Sequence, residues 1–190
     1  MPVEALKKLG TERMEIQKFK PEDAGEVLED LVEVLVDCVN RGSGISISFY
    51  PPLDPARARQ FWLDKFEDVA RGKRILLVAR EPQSRRVVGT VMVEFPGVDN
   101  QPHRGDVQKM LVHGDFRRRG IGSALMKALE TASLEAGKTL LVLDTLLEGD
   151  AEDLYLQLGW QRVGEIPYFV RGPQGQYATT VFFYKNLLEE

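Results

Sequence analysis

Apolar residues along this chain follow two different periods, which predicts a protein that mixes helices and strands. They recur every three or four residues in 21–42 and again in 54–72, the spacing of two amphipathic helices, and Pro21 is suited to a first helical turn. Further on, 120–137 and the short segment 151–158 show the same helical spacing. Between the helices lie short, continuous apolar runs, which are typical of buried strands.

Seven segments are predicted as strands, and their order defines the fold class. They cover 16–19, 74–80, 87–95, 106–112, 139–145, 160–165 and 179–185. Strands that follow one another directly favour antiparallel hairpins, whereas the strand–helix–strand unit at 106–145 favours a crossover. The segment 45–53 is a loop or a further short strand, and residues 1–14 are expected to be a poorly ordered lead-in. The chain is therefore expected to form one mixed α/β domain over 1–190.

The composition is that of a globular protein of 190 residues, with 43% hydrophobic and 28% charged residues. A net charge of −4 argues against nucleic acid and anionic membranes as partners, because proteins that bind them present basic surfaces. Cys38 is the only cysteine, which excludes an intrachain disulfide and a cysteine-based zinc cluster. We expect a cytoplasmic protein, since the sequence shows neither a membrane-length apolar run nor a signal-peptide core.

The segment RRRGIG at 117–122 carries the strongest chemical signal, and it lies between a predicted strand and a predicted helix. Glycine lets backbone N–H groups approach a phosphate without a Cβ in the way, and a helix start presents roughly half a positive elementary charge. Arginine adds charge-assisted hydrogen bonds. The segment therefore predicts a binding site for a phosphorylated cofactor, although an exposed basic turn is the simpler alternative.

Two nucleotide-binding motifs compete for this segment. Gly120 and Gly122, with Asp144 22 residues further on, resemble a dinucleotide fingerprint. Its third glycine position is Leu125, however, and the strand should end directly before the first glycine, so this interpretation is disfavoured but stays open. A P-loop is weaker still, because Gly-Lys-Thr at 137–139 precedes a strand and lacks the motif's earlier glycine.

The segment 117–122 also matches Arg/Gln-x-x-Gly-x-Gly/Ala, the pattern that marks the GNAT (GCN5-related N-acetyltransferase) family, and the likeness extends over about 85–188. The strands QKMLV and LVLDT resemble those around the family's motif. The segment 151–160 resembles the family's Ala-x-x-x-Tyr-x-x-x-Gly-Phe, with Trp for Phe, whereas Glu148 stands where the family often has asparagine. RVGEIPY and FFYKNL further resemble the tabtoxin-resistance subgroup, which acetylates small molecules.

This resemblance implies the GNAT fold, a twisted, mixed, mostly antiparallel sheet of about six or seven strands with helices on both faces and two central parallel strands that splay apart. It implies acetyl-CoA as the co-substrate and no metal, with the pantetheine arm lying between the splayed strands. Among the residues at that cofactor, Leu111 is expected to polarise the thioester carbonyl through its backbone N–H. The implied cofactor-binding residues are Met110, Leu111, Val112, Arg117, Arg118, Arg119, Gly120, Ile121, Gly122 and Ser123.

The resemblance also implies catalytic roles for Asp106, Asp144 and Tyr155. Family members commonly use a carboxylate near the first splayed strand as a base; Asp106 begins that strand and Asp144 ends the second. One acid could accept the amine proton while the other holds a cationic amine, and Glu94 is a weaker candidate. Asp106 is equally compatible with a solvated strand edge and Asp144 with a turn after a strand. Tyr155 occupies the position of the family's general acid, but a packed aromatic residue is a serious alternative.

The acceptor site is predicted, from the same architecture, between the loop 43–50, Phe61 with Trp62, and Tyr168 with Phe169. The expected acceptor is a primary amine of a small molecule, attacked directly without an acyl-enzyme. Acetylation of protein lysines or N-termini, or a non-catalytic acyl-CoA-binding or dinucleotide-binding module, are the alternatives. A monomer and a homodimer are both compatible with the sequence.

Two other residue types are not expected to do chemistry. His103 and His113 flank a strand without acids at ligand spacing, so a metal site is not predicted. Cys38 is expected to be a small buried apolar residue rather than a nucleophile.

Overall fold

A computed structural model of the chain describes residues 14–42 and 48–188, in which seven strands form one sheet. The predicted lead-in and part of the predicted acceptor loop fall outside these ranges. The strands are β1 (Glu15–Lys18), β2 (Arg74–Arg80), β3 (Val87–Glu94), β4 (Arg104–Val112), β5 (Leu140–Leu146), β6 (Gln161–Arg171) and β7 (Tyr177–Asn186). Their spatial order is β1-β2-β3-β4-β5-β7-β6. All neighbouring strands are antiparallel except β4 and β5, which confirms the mixed, mostly antiparallel sheet.

Four α-helices accompany the sheet in the described ranges. They are α1 (Ala24–Arg41), α2 (Pro55–Ala70), α3 (Ile121–Glu135) and α4 (Asp150–Gln157), and a 3₁₀ turn at Pro21–Asp23 precedes α1. The start of α2 follows from its sequence, because Pro55 occupies the first turn and the Asp54 carboxylate accepts a hydrogen bond from the Ala56 N–H at 2.8 Å. Within the described residues, no helix is long and apolar enough to span a membrane.

The helices cover both faces of the sheet, as expected for the GNAT fold, and each face has its own hydrophobic core. Helices α1 and α2 pack over Leu76, Met92 and Leu111, whereas α3 and α4 pack over Leu77, Val93 and Leu141 on the other face. Successive side chains of a strand point to opposite faces, so β2 and β3 are buried on both. This double burial explains why the central strands appear in the sequence as continuous apolar runs rather than alternating ones.

The close fit between α3 and the sheet positions the start of that helix. A Cβ on Gly89 in β3 would lie 3.1 Å from the Leu111 carbonyl oxygen and 3.2 Å from Cγ2 of Ile121, the first residue of α3. Glycine at this point lets the helix start approach the end of β4. The segment that the sequence assigns to a phosphate is thereby held beside the two parallel strands.

The C-terminal hairpin is longer than the sequence predicts. β6 continues to Arg171 instead of ending at 165, and β7 starts at Tyr177 instead of 179. β6 is an edge strand with both faces largely exposed, so it has no hydrophobic alternation to reveal it. Pro167 interrupts the ladder at a bulge between Ile166 and Val170, which an edge strand tolerates.

Candidate active site

β4 and β5 separate from each other part-way along their length and leave a gap in the centre of the sheet. They are paired at only three positions, and the last pair is Asp106 with Val142. Beyond it, β4 continues to Val112 and β5 to Leu146 without pairing to each other. The predicted splay of the central parallel strands is therefore present, and strand-like main-chain groups border the gap.

A β-bulge in β4 determines which main-chain groups face this gap. Leu111 pairs with Thr90 and Gln108 with Met92, so two residues of β4 lie opposite the single Val91. The His113 N–H donates to the Val88 carbonyl at 2.9 Å. Main-chain hydrogen bonding alternates along an antiparallel strand. Leu111, two residues before His113, therefore also directs its main-chain groups to β3.

The same alternation turns Met110 and Val112 away from β3. Their main-chain groups are directed to the side from which β5 has diverged. The Val112 carbonyl is already engaged, because it accepts hydrogen bonds from the Cys38 thiol at 3.3 Å and from Arg117 Nε at 3.1 Å.

At one end of the gap, the chain enters α3 through a tightly curled loop. Arg118 has φ = 60° and Gly120 has φ = 76°, so two residues of the left-handed region lie close together. Gly120 caps α3 without a side-chain hydrogen bond. The N–H groups of Ile121, Gly122 and Ser123 belong to the first helical turn, where N–H groups have no partner within the helix. This arrangement suits an anion such as a diphosphate.

Gly122 lies in a closely packed position. A Cβ at this position would lie 3.2 Å from Leu154 Cδ2 and 3.5 Å from Met110 Sδ. The start of α3 is thus pressed between α4 and β4. A phosphate-binding turn needs this kind of close backbone approach, and the cofactor site that the sequence predicts here stays a prediction.

The three arginines of the loop are all exposed but differ in their contacts. Arg117 reaches back to the Val112 carbonyl, and Arg119 donates to the Asp115 carbonyl at 3.0 Å and lies over the Phe116 ring. For Arg118, no hydrogen bond or ion pair is recorded within the described ranges. Arg117 and Arg119 therefore shape the loop, and Arg118 is the guanidinium most available to a ligand.

Asp144 lies on β5 two residues beyond the last pair with β4, at the edge of the gap. Partial desolvation raises the pKa of its carboxyl; the nearby Lys109 charge opposes this shift and the Asp106 charge adds to it. Within the described ranges Asp144 forms no ion pair. Of the three candidate acids, Asp144 is the one whose carboxylate has no hydrogen bond or ion pair in those ranges.

The other two candidate acids are held by arginines. Asp106 accepts a hydrogen bond from Arg104 at 2.8 Å. Glu94 pairs with the buried Arg74 at 3.0 Å and also accepts from Gln108 at 2.9 Å. These contacts orient the side chains of Asp106 and Glu94, whereas Asp144 has neither kind of contact within the described ranges.

Tyr155 on α4 lies in the core beneath α3, on the face of the sheet opposite to the one that α1 and α2 cover. Its ring is buried against Trp160 and Phe183, with centroid distances of 6.0 Å and 5.8 Å. Burial, with a smaller contribution from the Asp144 charge, raises the pKa of the Tyr155 hydroxyl well above its usual value. The phenol is therefore protonated at neutral pH and near enough to Asp144 to sense its charge.

Lys109 is a residue of this region that the sequence did not reveal. It occupies the bulge in β4 with φ = 51°. Its ammonium lies 3.3 Å from the Ser48 hydroxyl and 5.8 Å from the centre of the Phe61 ring. In the sequence it is one lysine inside the strand QKMLV, where a solvent-facing position is the ordinary expectation. Only the bulge, which no residue pattern predicts, turns the Lys109 side chain towards Ser48 and Phe61.

The structure places the predicted acceptor residues in different surroundings. Trp62 is fully buried and donates from Nε1 to the Leu31 carbonyl at 2.8 Å, so it is a core residue. Phe61 lies at the face beside Lys109. Tyr168 and Phe169 are exposed on β6, and part of the predicted loop, 43–47, lies outside the described residues.

The two histidines and the cysteine take no part in the gap. His113 is buried beside Asp37 and Glu33, with Nε2 at 3.6 Å and 3.7 Å from their oxygens. Cys38 is buried, and its burial raises the pKa of the thiol. In the part of the chain that the structure describes, no cluster of three or more His, Cys, Asp or Glu side chains could hold a metal ion.

Comparison with known proteins agrees with this geometry. The sequence model of the Acetyltransferase (GNAT) domain matches residues 72–162. This range contains the gap between β4 and β5, the loop at 117–123, and helices α3 and α4. The fold is shared with YncA from Salmonella typhimurium, assigned as an acetyltransferase and solved with its cofactor acetyl-CoA. The two chains are 18% identical with a TM-score of 0.75, over 94% of this chain and 96% of that one.

Two further structures share the fold. A GNAT superfamily phosphinothricin acetyltransferase from Sinorhizobium meliloti, in complex with acetyl-CoA, is 17% identical with a TM-score of 0.73, over 91% of this chain and 88% of that one. A ribosomal-protein-alanine N-acetyltransferase from Brucella melitensis is 21% identical with a TM-score of 0.71, over 90% and 99% of the two chains. The match to the Acetyltransferase (GNAT) domain is thus confined to 72–162, and the solved structures show that the fold is shared over nearly the whole chain.

Proposed function

We propose that this chain is an acetyl-CoA-dependent N-acetyltransferase that acts on a primary amine of a small molecule. The observation that carries the proposal is the separation of β4 and β5 after Asp106 and Val142. It opens a gap bordered by strand-like main-chain groups, with a helix start suited to an anion at one end and the Asp144 carboxylate at its edge. A long cofactor with a diphosphate and an amide-containing arm matches that combination.

The residues of the gap suit this cofactor. The first turn of α3, from Ile121 to Ser123, would hold the diphosphate through main-chain N–H groups, with Arg118 adding charge. The strand register favours Met110 and Val112, rather than Leu111, as the residues whose main-chain groups pair with the pantetheine arm. When bound, acetyl-CoA would supply an activated thioester carbonyl for attack by the amine.

Asp144 is our candidate for the base that accepts the amine proton. An amine attacks only in its neutral form, so a carboxylate near the gap must be charged to take the proton. The raised pKa of Asp144 makes its carboxylate a better proton acceptor than an ordinary aspartate. Asp106 is the alternative, but its carboxylate is already engaged by Arg104.

Tyr155 is our candidate for the acid. As the new N–C bond forms and the C–S bond breaks, the sulfur gains the electron pair of that bond. The Tyr155 phenol is protonated at neutral pH, so it would carry the proton that the developing thiolate takes up. The proposed transfer is direct, without an acyl-enzyme, because the Cys38 thiol is buried, donates to the Val112 carbonyl and has a pKa raised by burial, which disfavours a nucleophilic thiolate.

Calorimetry with CoA, acetyl-CoA and NAD tests the cofactor class. We expect binding of CoA and acetyl-CoA in the micromolar range and none of NAD; NAD binding without CoA binding would reject the proposal. If acetyl-CoA binds, a thiol-release screen against small amines tests the reaction. Release that depends on an added primary amine, with the acetylated amine identified by mass spectrometry, is the supporting result.

Protein acetylation is the second candidate, and one surface favours it. The β6–β7 hairpin exposes the aromatic side chains of Tyr168, Phe169 and Tyr177. This aromatic surface could hold an extended peptide. Peptides with free N-termini or lysines, assayed beside the small amines, decide between the two. A kcat/KM higher for peptides than for any small amine would favour the protein acceptor.

A further inference from the structure

Lys109 is a cation that β4 places close to Asp144, which lies at the edge of the gap. A bulge inserts Lys109 opposite β3, and its left-handed backbone is a costly conformation for a residue with a Cβ. Bulges commonly re-aim a side chain beside an active site. Here the side chain reaches Ser48 and the Phe61 ring of α2, so it lies on the α1–α2 face of the sheet.

Asp144 faces the same side from the other strand. Leu141 and Leu143 of β5 point into the core beneath α3, and the alternation of side chains along a strand therefore turns Asp144 to the opposite face. Lys109 and Asp144 thus stand on the two strands that border the gap. They are close enough for each charge to affect the pKa of the other, yet they form no ion pair within 4 Å.

The ammonium of Lys109 has little compensation for its position. It is partly buried, and within the described ranges no carboxylate pairs with it. A second ammonium, that of Lys65 on α2, lies over the same Phe61 ring at 5.5 Å, where that of Lys109 lies at 5.8 Å. Burial lowers the pKa of Lys109; the nearby Asp144 charge opposes this shift, and the charges of Lys65 and Arg74 add to it. Lys65 pairs with Asp68 at 3.5 Å, whereas Lys109 has no such partner in the described ranges, so its ammonium is the one of the two that an anion would compensate.

We propose that Lys109 binds an anionic group of the acceptor, so that the acceptor is a zwitterion with a carboxylate or phosphonate close to its amino group. The amine would lie towards Asp144 and the anion towards Lys109, with Lys65 adding to the positive field. This inference rests on the proposed function and names the substrate class of the same site. It makes Lys109 a specificity-determining residue rather than a participant in proton transfer.

The test compares matched acceptors that differ only in the anion. α-Amino acids and aminophosphonates are assayed beside the corresponding neutral carboxamides and simple amines by thiol release, with the wild type, Lys109→Met, Lys109→Arg and Lys65→Met. Lys18→Met, at an exposed lysine on the far edge strand β1, is the matched control. Thermal unfolding and acetyl-CoA affinity establish that each variant is folded.

We expect the wild type to prefer the anionic member of each pair. Lys109→Met should lower kcat/KM for anionic acceptors about 10- to 100-fold, mainly through KM, and reduce the preference to near unity. Lys109→Arg should retain most of the preference, and Lys65→Met should lose a smaller part. Equal rates for both members in the wild type, or an equal loss for both in Lys109→Met, would overturn the inference.

A binding measurement separates this inference from the proposed function. The same amino acids are titrated by calorimetry into CoA-loaded wild type and Lys109→Met. Binding that depends on Lys109, in a protein that acetylates none of them, would support the anion site and reject the acetyltransfer. Acetylation of neutral amines without any Lys109-dependent binding of anions would do the reverse.

Discussion

The two ends of the gap are built in different ways. The loop at 117–123 is one continuous stretch whose proposed ligand-binding groups are main-chain N–H groups at the start of α3. The proposed acceptor face gathers Ser48, Phe61, Lys109 and Asp144 from four separate parts of the chain, and its groups are side chains. Main-chain donors bind a common group such as a diphosphate whatever the acceptor is. Side chains on a face that the fold assembles can vary and so determine which acceptor is used.

Asp144→Asn should have the largest effect, because it removes the candidate base from the acceptor face. We expect kcat/KM to fall about 100- to 10,000-fold while acetyl-CoA affinity stays within about 3-fold, the usual range for loss of a general base. Steady-state thiol release and calorimetry measure the two quantities. Asp106→Asn is the comparison, and a larger loss there would transfer the role to Asp106.

The pH profile sharpens the same assignment. The base must be ionised, so the rate should fall as the pH drops through the raised pKa of Asp144, above the ordinary value of 3.8. Removing the Lys109 charge should raise that pKa further and move the acidic limb of kcat to higher pH; removing the Asp106 charge should move it lower. An acidic limb that neither substitution shifts would contradict Asp144 as the titrating base.

Gly122→Asp should break the other end of the gap. Its side chain would press on Leu154 and Met110, and its charge would repel a phosphate at the helix start. We expect the Kd for CoA to rise at least about 100-fold, equivalent to about 2.7 kcal/mol. Gly25→Asp, in the first turn of α1 where a Cβ meets nothing within 4 Å, is the matched control and should bind CoA normally.

A loss of CoA affinity in Gly122→Asp is informative only if the helix still packs. Gly122→Ala brings the same Cβ without the charge, and the methyl of Leu154 can shift to make room. We expect a loss of less than about 10-fold. An unchanged Kd in folded Gly122→Asp would reject the phosphate assignment.

Tyr155→Phe should lower kcat about 10- to 100-fold and spare CoA affinity. The effect is smaller than for the base, because a thiolate is already a tolerable leaving group with a pKa of about 8.5. Phenylalanine keeps the ring contacts with Trp160 and Phe183, so stability should change little. Single-turnover kinetics measure the chemical step, and a fully active variant would leave Tyr155 as a packed aromatic residue.

Arg118→Ala should have the smallest effect. Its guanidinium is exposed, so its attraction for phosphate is screened by salt, and we expect the Kd for CoA to rise about 3- to 10-fold at low ionic strength and less at 0.5 M salt. Arg71→Ala, at an exposed arginine following α2 that pairs with Glu67, is the control. A loss that salt does not reduce would indicate a structural rather than electrostatic role.

The sequence correctly predicted those elements whose signal comes from residues close together in the chain. The four helices and seven strands were predicted in order, because amphipathic spacing and buried apolar runs are local patterns. It was less accurate where one strand lies at an edge: the end of β6 was placed at 165 rather than at Arg171, since the exposed strand has no alternation and Pro167 suggests a loop. The bulge at Lys109 left no local signal at all, because it depends on how β4 pairs with β3.

The sequence by itself determined the proposed phosphate-binding turn, because glycines, arginines and a helix start act through groups that lie next to each other in the chain. Only the tertiary structure decided the proposed acceptor face. The point where β4 and β5 part, the register that turns Met110 and Val112 to the gap, and the approach of Lys109 to Phe61 and Asp144 depend on strand pairing. Such pairing joins residues far apart in the chain, and it is set by packing over the whole sheet rather than by any single segment.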